Sequence, residues 1–188
     1  MTVSIVSLLA PYFERYITLE RIHPTGTYNY KARDVSGAQV IETTLHSRKC
    51  RPGSWLYIAV PVTANLVSLA PREKLYVGSQ TRDRMFRGDG MAARNFHHAE
   101  MRSGNGEDNL ENFLRSGEKA FIYHISAALI AKAVEEVQYL SRFIPLLHQP
   151  ENHVGYWFEQ FILYSEGKEW RWNSAGTKVA AQMLLQTL

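Results

Sequence analysis

Two short runs with a period of two constrain this chain more than anything else in it. In the first, Leu56, Ile58 and Val60 alternate with Tyr57, Ala59 and Pro61. In the second, Leu75 and Val77 flank Tyr76, and Gly78-Ser79-Gln80-Thr81 follows. Alternation sends successive side chains to opposite faces of a strand. Each run therefore predicts a strand with one tyrosine facing away from its aliphatic neighbours. If the strands pair antiparallel, both phenols share a face. A glycine at the end of a strand also lets another backbone or a phosphate come close. Tyrosine is a common strand residue, so the pair alone carries little.

Composition sets wide bounds. A chain of 188 residues, 45% hydrophobic and 21% charged, suits one elaborated domain or two small ones. The single cysteine, Cys50, excludes an internal disulfide and any multi-cysteine zinc site. No run approaches the ~20 apolar residues of a membrane span, and a cytoplasmic protein of prokaryotic or phage origin is the expectation. Residues 1 to 22 carry Ile5, Leu8, Leu9, Tyr12, Phe13 and Tyr16 near helical spacing and read as a helix or, because of Pro11, two short ones. The net charge of +3 permits nucleic-acid binding without indicating it. Arginine outnumbers lysine two to one, and guanidinium suits bidentate contact with phosphate and guanine. A solvated basic face explains the same composition.

Downstream of the two runs come pieces that bear on chemistry. Arg82, Arg84 and Arg87 lie in a loop-like segment that ends Gly88-Asp89-Gly90. Residues 91–102 have helical composition and stop at Ser103-Gly104, which puts Arg94 and His98 one turn apart on one face. Glu107 to Gly117 predicts another helix, Phe121 to Ile125 a third strand, and Ala127 to Phe143 a long helix. Glu159 then stands among Trp157, Phe158, Phe161 and Ile162. A carboxylate in such surroundings is costly to bury unless something pairs with it, and a divalent cation would do so. Glu135 and Glu136 compete for that role, in a setting that reads as solvated. His98-Ala99-Glu100 looks like the start of a zinc deaminase signature, but the paired cysteines that chemistry needs are missing.

Taken in order, Trp55-Leu56-Tyr57, Tyr76-Val77-Gly78, Arg94 with His98, Glu159 and Asn173 resemble the motif series of the GIY-YIG nuclease family. The resemblance covers roughly Trp55 to Asn173. It departs from the family in the missing glycine of the first motif, the long connection from Pro61 to Glu73, and the inserted helix. It implies an α/β (α+β) domain with a small three-stranded, mainly antiparallel sheet flanked by helices. Residues 53–188 would form that nuclease core, with the inserted helix at about 127–143. Residues 1–52 would be an N-terminal helix and β arm that contacts DNA or mediates dimerisation.

The resemblance also implies the chemistry. Tyr57 would be general base on water, and Arg94 would stabilise charge on the scissile phosphate, with Arg84 and Arg87 as rivals for that role. Glu159 would hold Mg²⁺ or another divalent cation such as Mn²⁺. Tyr76, His98 and Asn173 would position the reacting groups. Lys31, Arg33, Lys74, Arg82, Arg84 and Arg87 are the expected contacts to double-stranded DNA. The enzymes most like it in organisation are the type II restriction endonucleases of the family, which would make this chain a site-specific cutter and a homodimer on DNA. A structure-specific phage or repair nuclease and a non-catalytic nucleic-acid binding module on the same fold are the alternatives.

Overall fold

The computed structural model describes residues 4–21, 30–33, 36, 55–69, 74–80, 104–105, 108–148, 151–166, 172 and 179–188. Helix α1 (Ile5–Leu9) and a 3-10 turn (Ala10–Tyr12) lead into strand β1 (Glu14–Arg21). Strands β2 (Tyr30–Arg33), β3 (Trp55–Pro61) and β4 (Tyr76–Gln80) follow. The short strands β5 (Gly104–Asn105) and β6 (Asp108–Asn109) form a separate two-stranded ladder before helix α2 (Leu110–Arg115). Strand β7 (Ala120–Ser126) is followed by helices α3 (Ala127–Glu136), α4 (Ile144–Leu147), α5 (Glu151–Glu166) and α6 (Val179–Leu185). The protein is therefore a mixed α+β fold built on an antiparallel sheet.

Among the described residues the main sheet has five strands in the order β2-β1-β7-β3-β4, not the three expected. The expected trio is present as β7-β3-β4, and β1 and β2 extend it beyond β7. Residues 14–21 overturn the helical expectation for residues 1 to 22. The apparent helical spacing joined two elements that Pro11 separates, and Ile17 and Leu19 are buried at strand spacing. Helix α1 and strand β1 lie before the expected boundary at residue 52, yet they share the sheet and core of the segment after it.

Both faces of the sheet are covered. On one face Leu56, Ile58, Val60, Val77 and Ile125 pack with Ile5, Val6 and Leu9 of α1, Ile130 and Val134 of α3, and Val154, Phe158 and Ile162 of α5. On the other, Ile17, Leu19, Ala59, Ala120 and Ile122 are buried, and Leu110 and Leu114 are buried on α2, which lies against β1. Each fully buried Leu, Ile or Phe contributes about 1.5–3 kcal/mol relative to exposure, so two covered faces fix the register strongly. Asn109 caps α2 by accepting from the Asn112 N–H at 2.8 Å, and Gly117 just beyond its end adopts φ +90°.

The long helix expected over 127–143 ends at Glu136. Val137 leaves the helical region at φ −102°, ψ 105°, and a 3-10 segment (Gln138–Phe143) continues the chain. That break turns Leu140 and Phe143 inward, and the Phe143 ring lies 3.9 Å from the Phe161 centroid. Arg142 stacks its guanidinium over Tyr139, Phe143 and Phe161.

Helix α1 is tied to the end of α5 by Glu166. Its carboxylate accepts from Ser4 Oγ at 2.9 Å and from the Ile5 N–H. Burial raises the Glu166 carboxyl above its ordinary value of 4.5, and the donated hydrogen bonds only partly oppose that. A raised carboxyl binds its proton more tightly in the folded chain than in the unfolded one. Its stabilising contribution is therefore fully present below the ordinary value and is lost as pH rises through the folded one. Thermal melts from pH 4 to 8 should show the parent losing stability, with rising pH, relative to Glu166→Gln. Parallel melting curves for the two proteins would rule the linkage out.

Candidate active site

The site is built from the β3–β4 hairpin outward. Tyr57 pairs with Gly78, and Ala59 with Tyr76, so both tyrosines project from the same face of the sheet. Their ring centroids are 6.0 Å apart with planes tilted by 33°. Tyr57 is only 3% exposed. Gly78 explains how the pair fits. A Cβ there would stand 2.5 Å from both Cζ and Oη of Tyr57 and 2.9 Å from Cε1 of Tyr76. The close approach that glycine permits is thus by the Tyr57 phenol, where the sequence left open a backbone or a phosphate.

Glu159 reaches the same strand end from α5. It is half-buried, and its Oε2 accepts a hydrogen bond from Ser79 Oγ. Ser79 pairs with Leu56, so it points to the helix-covered face, opposite the one that carries Tyr57 and Tyr76. The carboxylate and the phenols therefore flank strand β4 rather than facing one another. Among the described residues β4 is an edge strand, and the two faces join along its outer side. Glu135 and Glu136 are exposed, and Glu136 accepts from the Tyr12 hydroxyl at 2.8 Å and lies 3.7 Å from Lys132. They belong to the solvated surface, in keeping with the plainer reading of that pair.

The other expected residues divide by position. Arg82, Arg84, Arg87, Arg94, His98 and Asn173 lie outside the described residues. Lys31 and Arg33 sit on β2, paired with Glu20 and Thr18, at the edge of the sheet away from β4. Lys74 holds its Nζ 5.0 Å from the Phe113 ring centroid. Two residues that sequence reasoning passed over share the level of Tyr57 across the sheet. His124 is its direct partner on β7, and Glu14 is the partner of His124 on β1. His124 is 7% exposed, and its Nε2 lies 3.6 Å from Glu14 Oε2. The signal was a histidine in phase with Ile122 and Ala120, at an inward position of an otherwise apolar strand.

Compared with known proteins, the chain matches no family model, no curated protein and no solved structure. Among the described residues no group of three metal-ligating side chains converges, and no helix is long and apolar enough to cross a membrane. The donor set at Glu159 still fits one hard cation. A carboxylate and the Ser79 hydroxyl are both oxygen ligands, and Mg²⁺ commonly takes one or two carboxylates and keeps several waters.

The tyrosine–glycine contact yields a stability prediction. Gly78→Ala forces the Tyr57 ring to move in a buried space and should cost about 1–3 kcal/mol in urea unfolding. In a Tyr57→Ala background the same change should cost clearly less, because the clashing ring is gone. Equal costs in both backgrounds would show that the ring does not occupy the space above Gly78.

Proposed function

We propose that this protein is a divalent-metal-dependent DNA endonuclease resembling the GIY-YIG family, cutting at a specific site in the manner of a type II restriction enzyme. One observation carries the reading. An antiparallel hairpin puts Tyr57 and Tyr76 on one face within 6.0 Å, and the only carboxylate of the motif series, Glu159, is bonded at Ser79 on the opposite face of the same strand. The union of β7, β3 and β4 in one sheet supports it too, since the resemblance implies three such strands.

In this reading the scissile phosphate lies along the outer side of β4, where the tyrosine face and α5 meet. Tyr57 takes the proton of the attacking water, and Tyr76 orients that water. Arg94 stabilises the charge that develops on the phosphoryl oxygens. His98 and Asn173 position phosphate and neighbouring side chains. Glu159, with Ser79 beside it, would hold the metal, whose bound chemistry is to neutralise charge on the leaving oxygen. Lys31, Arg33, Lys74, Arg82, Arg84 and Arg87 are the cations assigned to the DNA backbone and bases. Two copies on a two-fold symmetric site would bring one such centre to each strand. Light scattering on the DNA complex should give two chains per duplex, and one chain per duplex would contradict that arrangement.

A second reading has a specific observation behind it. Tyr57 is buried against Gly78, and Glu159 bonds on the opposite face of the sheet. Both facts suit a nucleic-acid binding module that keeps the hairpin without catalysis. Supercoiled plasmid incubated with Mg²⁺, Mn²⁺ or EDTA separates the two. The nuclease reading expects discrete fragments that require metal. It expects Tyr57→Phe and Glu159→Ala to cut at least ~100-fold more slowly while still binding DNA, as loss of a general base or of the metal ligand should. Retarded but uncut plasmid from the parent would favour the binding module, and a preference for junctions or flaps would favour a structure-specific nuclease.

A further inference from the structure

Ser79 and Glu159 stand far apart in the chain and meet because α5 packs on β4. Leu75 and Val77 of β4 and Phe158 and Ile162 of α5 are fully buried in one core. Ser79 is in phase with Leu75 and Val77 and so points toward α5. Glu159 follows Phe158 and offers Oε2 to the Ser79 hydroxyl. Two rigid elements thus hold the two donors, and both residues are half-buried, so solvent reaches them. The hydroxyl gives the carboxylate a hydrogen bond but no countercharge, which a carboxylate set among apolar side chains needs.

Spacing suggests what else the pair can do. Mg²⁺ holds oxygens at about 2.0–2.1 Å in a near-ideal octahedron, which puts adjacent ligands about 2.9 Å apart. Oxygens joined by an O–H···O hydrogen bond stand about 2.5–3.0 Å apart. A hydrogen-bonded hydroxyl and carboxylate are therefore preset near the spacing of neighbouring ligands. A hydroxyl also carries two lone pairs and rotates freely, so it can turn one of them to a cation while its oxygen stays in place.

We infer that the Ser79 hydroxyl is a metal ligand in its own right, next to Glu159, and that it restricts the site to hard cations such as Mg²⁺ and Mn²⁺. The inference rests on the hydrolytic reading above for the presence of a metal. It adds the second protein donor and the basis of selectivity. The Ser/Thr hydroxyl of phosphate-binding loops ligates Mg²⁺ in the same way. Two protein oxygens leave the other positions to water and phosphate oxygens, the usual pattern for this ion. Oxygen donors suit hard cations, whereas a thiolate in the same place would select soft ones. Both donors lie on the helix-covered side of β4, opposite Tyr57 and Tyr76.

Mn²⁺ binding to the protein alone, read as loss of the free-ion EPR signal, tests this without DNA or cleavage. The parent should bind Mn²⁺, and Glu159→Gln should lose that binding. Ser79→Ala should weaken it at least ~10-fold, the lower end of what even outer-shell changes cost a metal site. Ser79→Thr keeps the hydroxyl and should restore most of the affinity. Ser79→Cys should bind Mn²⁺ more weakly and Cd²⁺ more tightly than the parent. It should also gain an ultraviolet thiolate-to-metal charge-transfer band above the background that Cys50 sets in the parent. A hydrogen bond that only ties helix to strand gives another split, in which Ser79→Ala melts earlier but keeps the parent's Mn²⁺ affinity. That result overturns the inference, as does Ser79→Cys without a Cd²⁺ band, or equal Mn²⁺ binding by the parent and Glu159→Gln. Failure of the hydrolytic reading looks different. A parent that binds Mn²⁺ with these dependences but leaves plasmid uncut keeps the ligand pair and loses the nuclease. Metal-dependent cutting with unchanged affinity in Ser79→Ala keeps the nuclease and removes Ser79 from the metal.

Discussion

The register of β3 between β4 and β7 is the constraint on which the other features rest. Leu56, Ile58 and Val60 enter the core shared with α1, α3 and α5, while Ala59 and Tyr57 enter the opposite face. Because the side-chain period of a strand is two, a slip by one residue would exchange these sets completely. It would also move Tyr57 off Gly78, the one position in the facing strand where its ring has room. Burial on two faces and a steric fit at one glycine thus select the same register. That agreement between levels is what lets a hairpin hold two phenols in a defined relation.

The same register distributes polarity across the sheet. On the tyrosine face Glu14, His124 and Tyr57 stand at one level, the next holds Ile17, Ile122, Ala59 and Tyr76, and the one after it Leu19, Ala120 and Pro61. Polar groups placed at one level can interact with one another, whereas the same groups scattered over the face would each be desolvated alone. The β1 bulge matters for this reason. It inserts one residue and keeps Glu14 in phase with Ile17 and Leu19, so that a carboxylate meets His124 without exposing the aliphatic positions that follow.

How much of this was legible depended on whether an element had a single period. The strands around Tyr57 and Tyr76 and the strand at Phe121 did, and their positions followed from alternation to within a residue or two. The first 22 residues did not. A five-residue helix, a 3-10 turn and a strand of eight residues succeed one another there, and their apolar positions fall near a helical pattern only when read together. The end of α3 was hidden because the sequence after Val137 stays compatible with a helix, and the inward turn comes from aromatic packing of Phe143 on Phe161, which is a tertiary contact. The partner of Glu159 was hidden for a related reason. An apolar helix shows that a carboxylate needs a partner, but only the packing of α5 on β4 names Ser79. His124 drew no notice because a lone histidine in a strand has no spacing to read until β1 and β3 are set beside it.

The geometry around β4 also bears on how the hairpin could work. Tyr57 and Glu159 lie on different sides of one strand, so neither approaches the other without passing its outer side. A ligand confined to either face would meet only one of them. In the nuclease reading, a nucleic-acid strand lying along the outer side of β4 would be the ligand able to meet both, because neighbouring strands are only about 4.8 Å apart. In the proposed nuclease reading, the edge position of β4 among the described residues would be a requirement of the site. Covering β4 with a sixth strand would leave the tyrosines and the carboxylate intact and separate their chemistry.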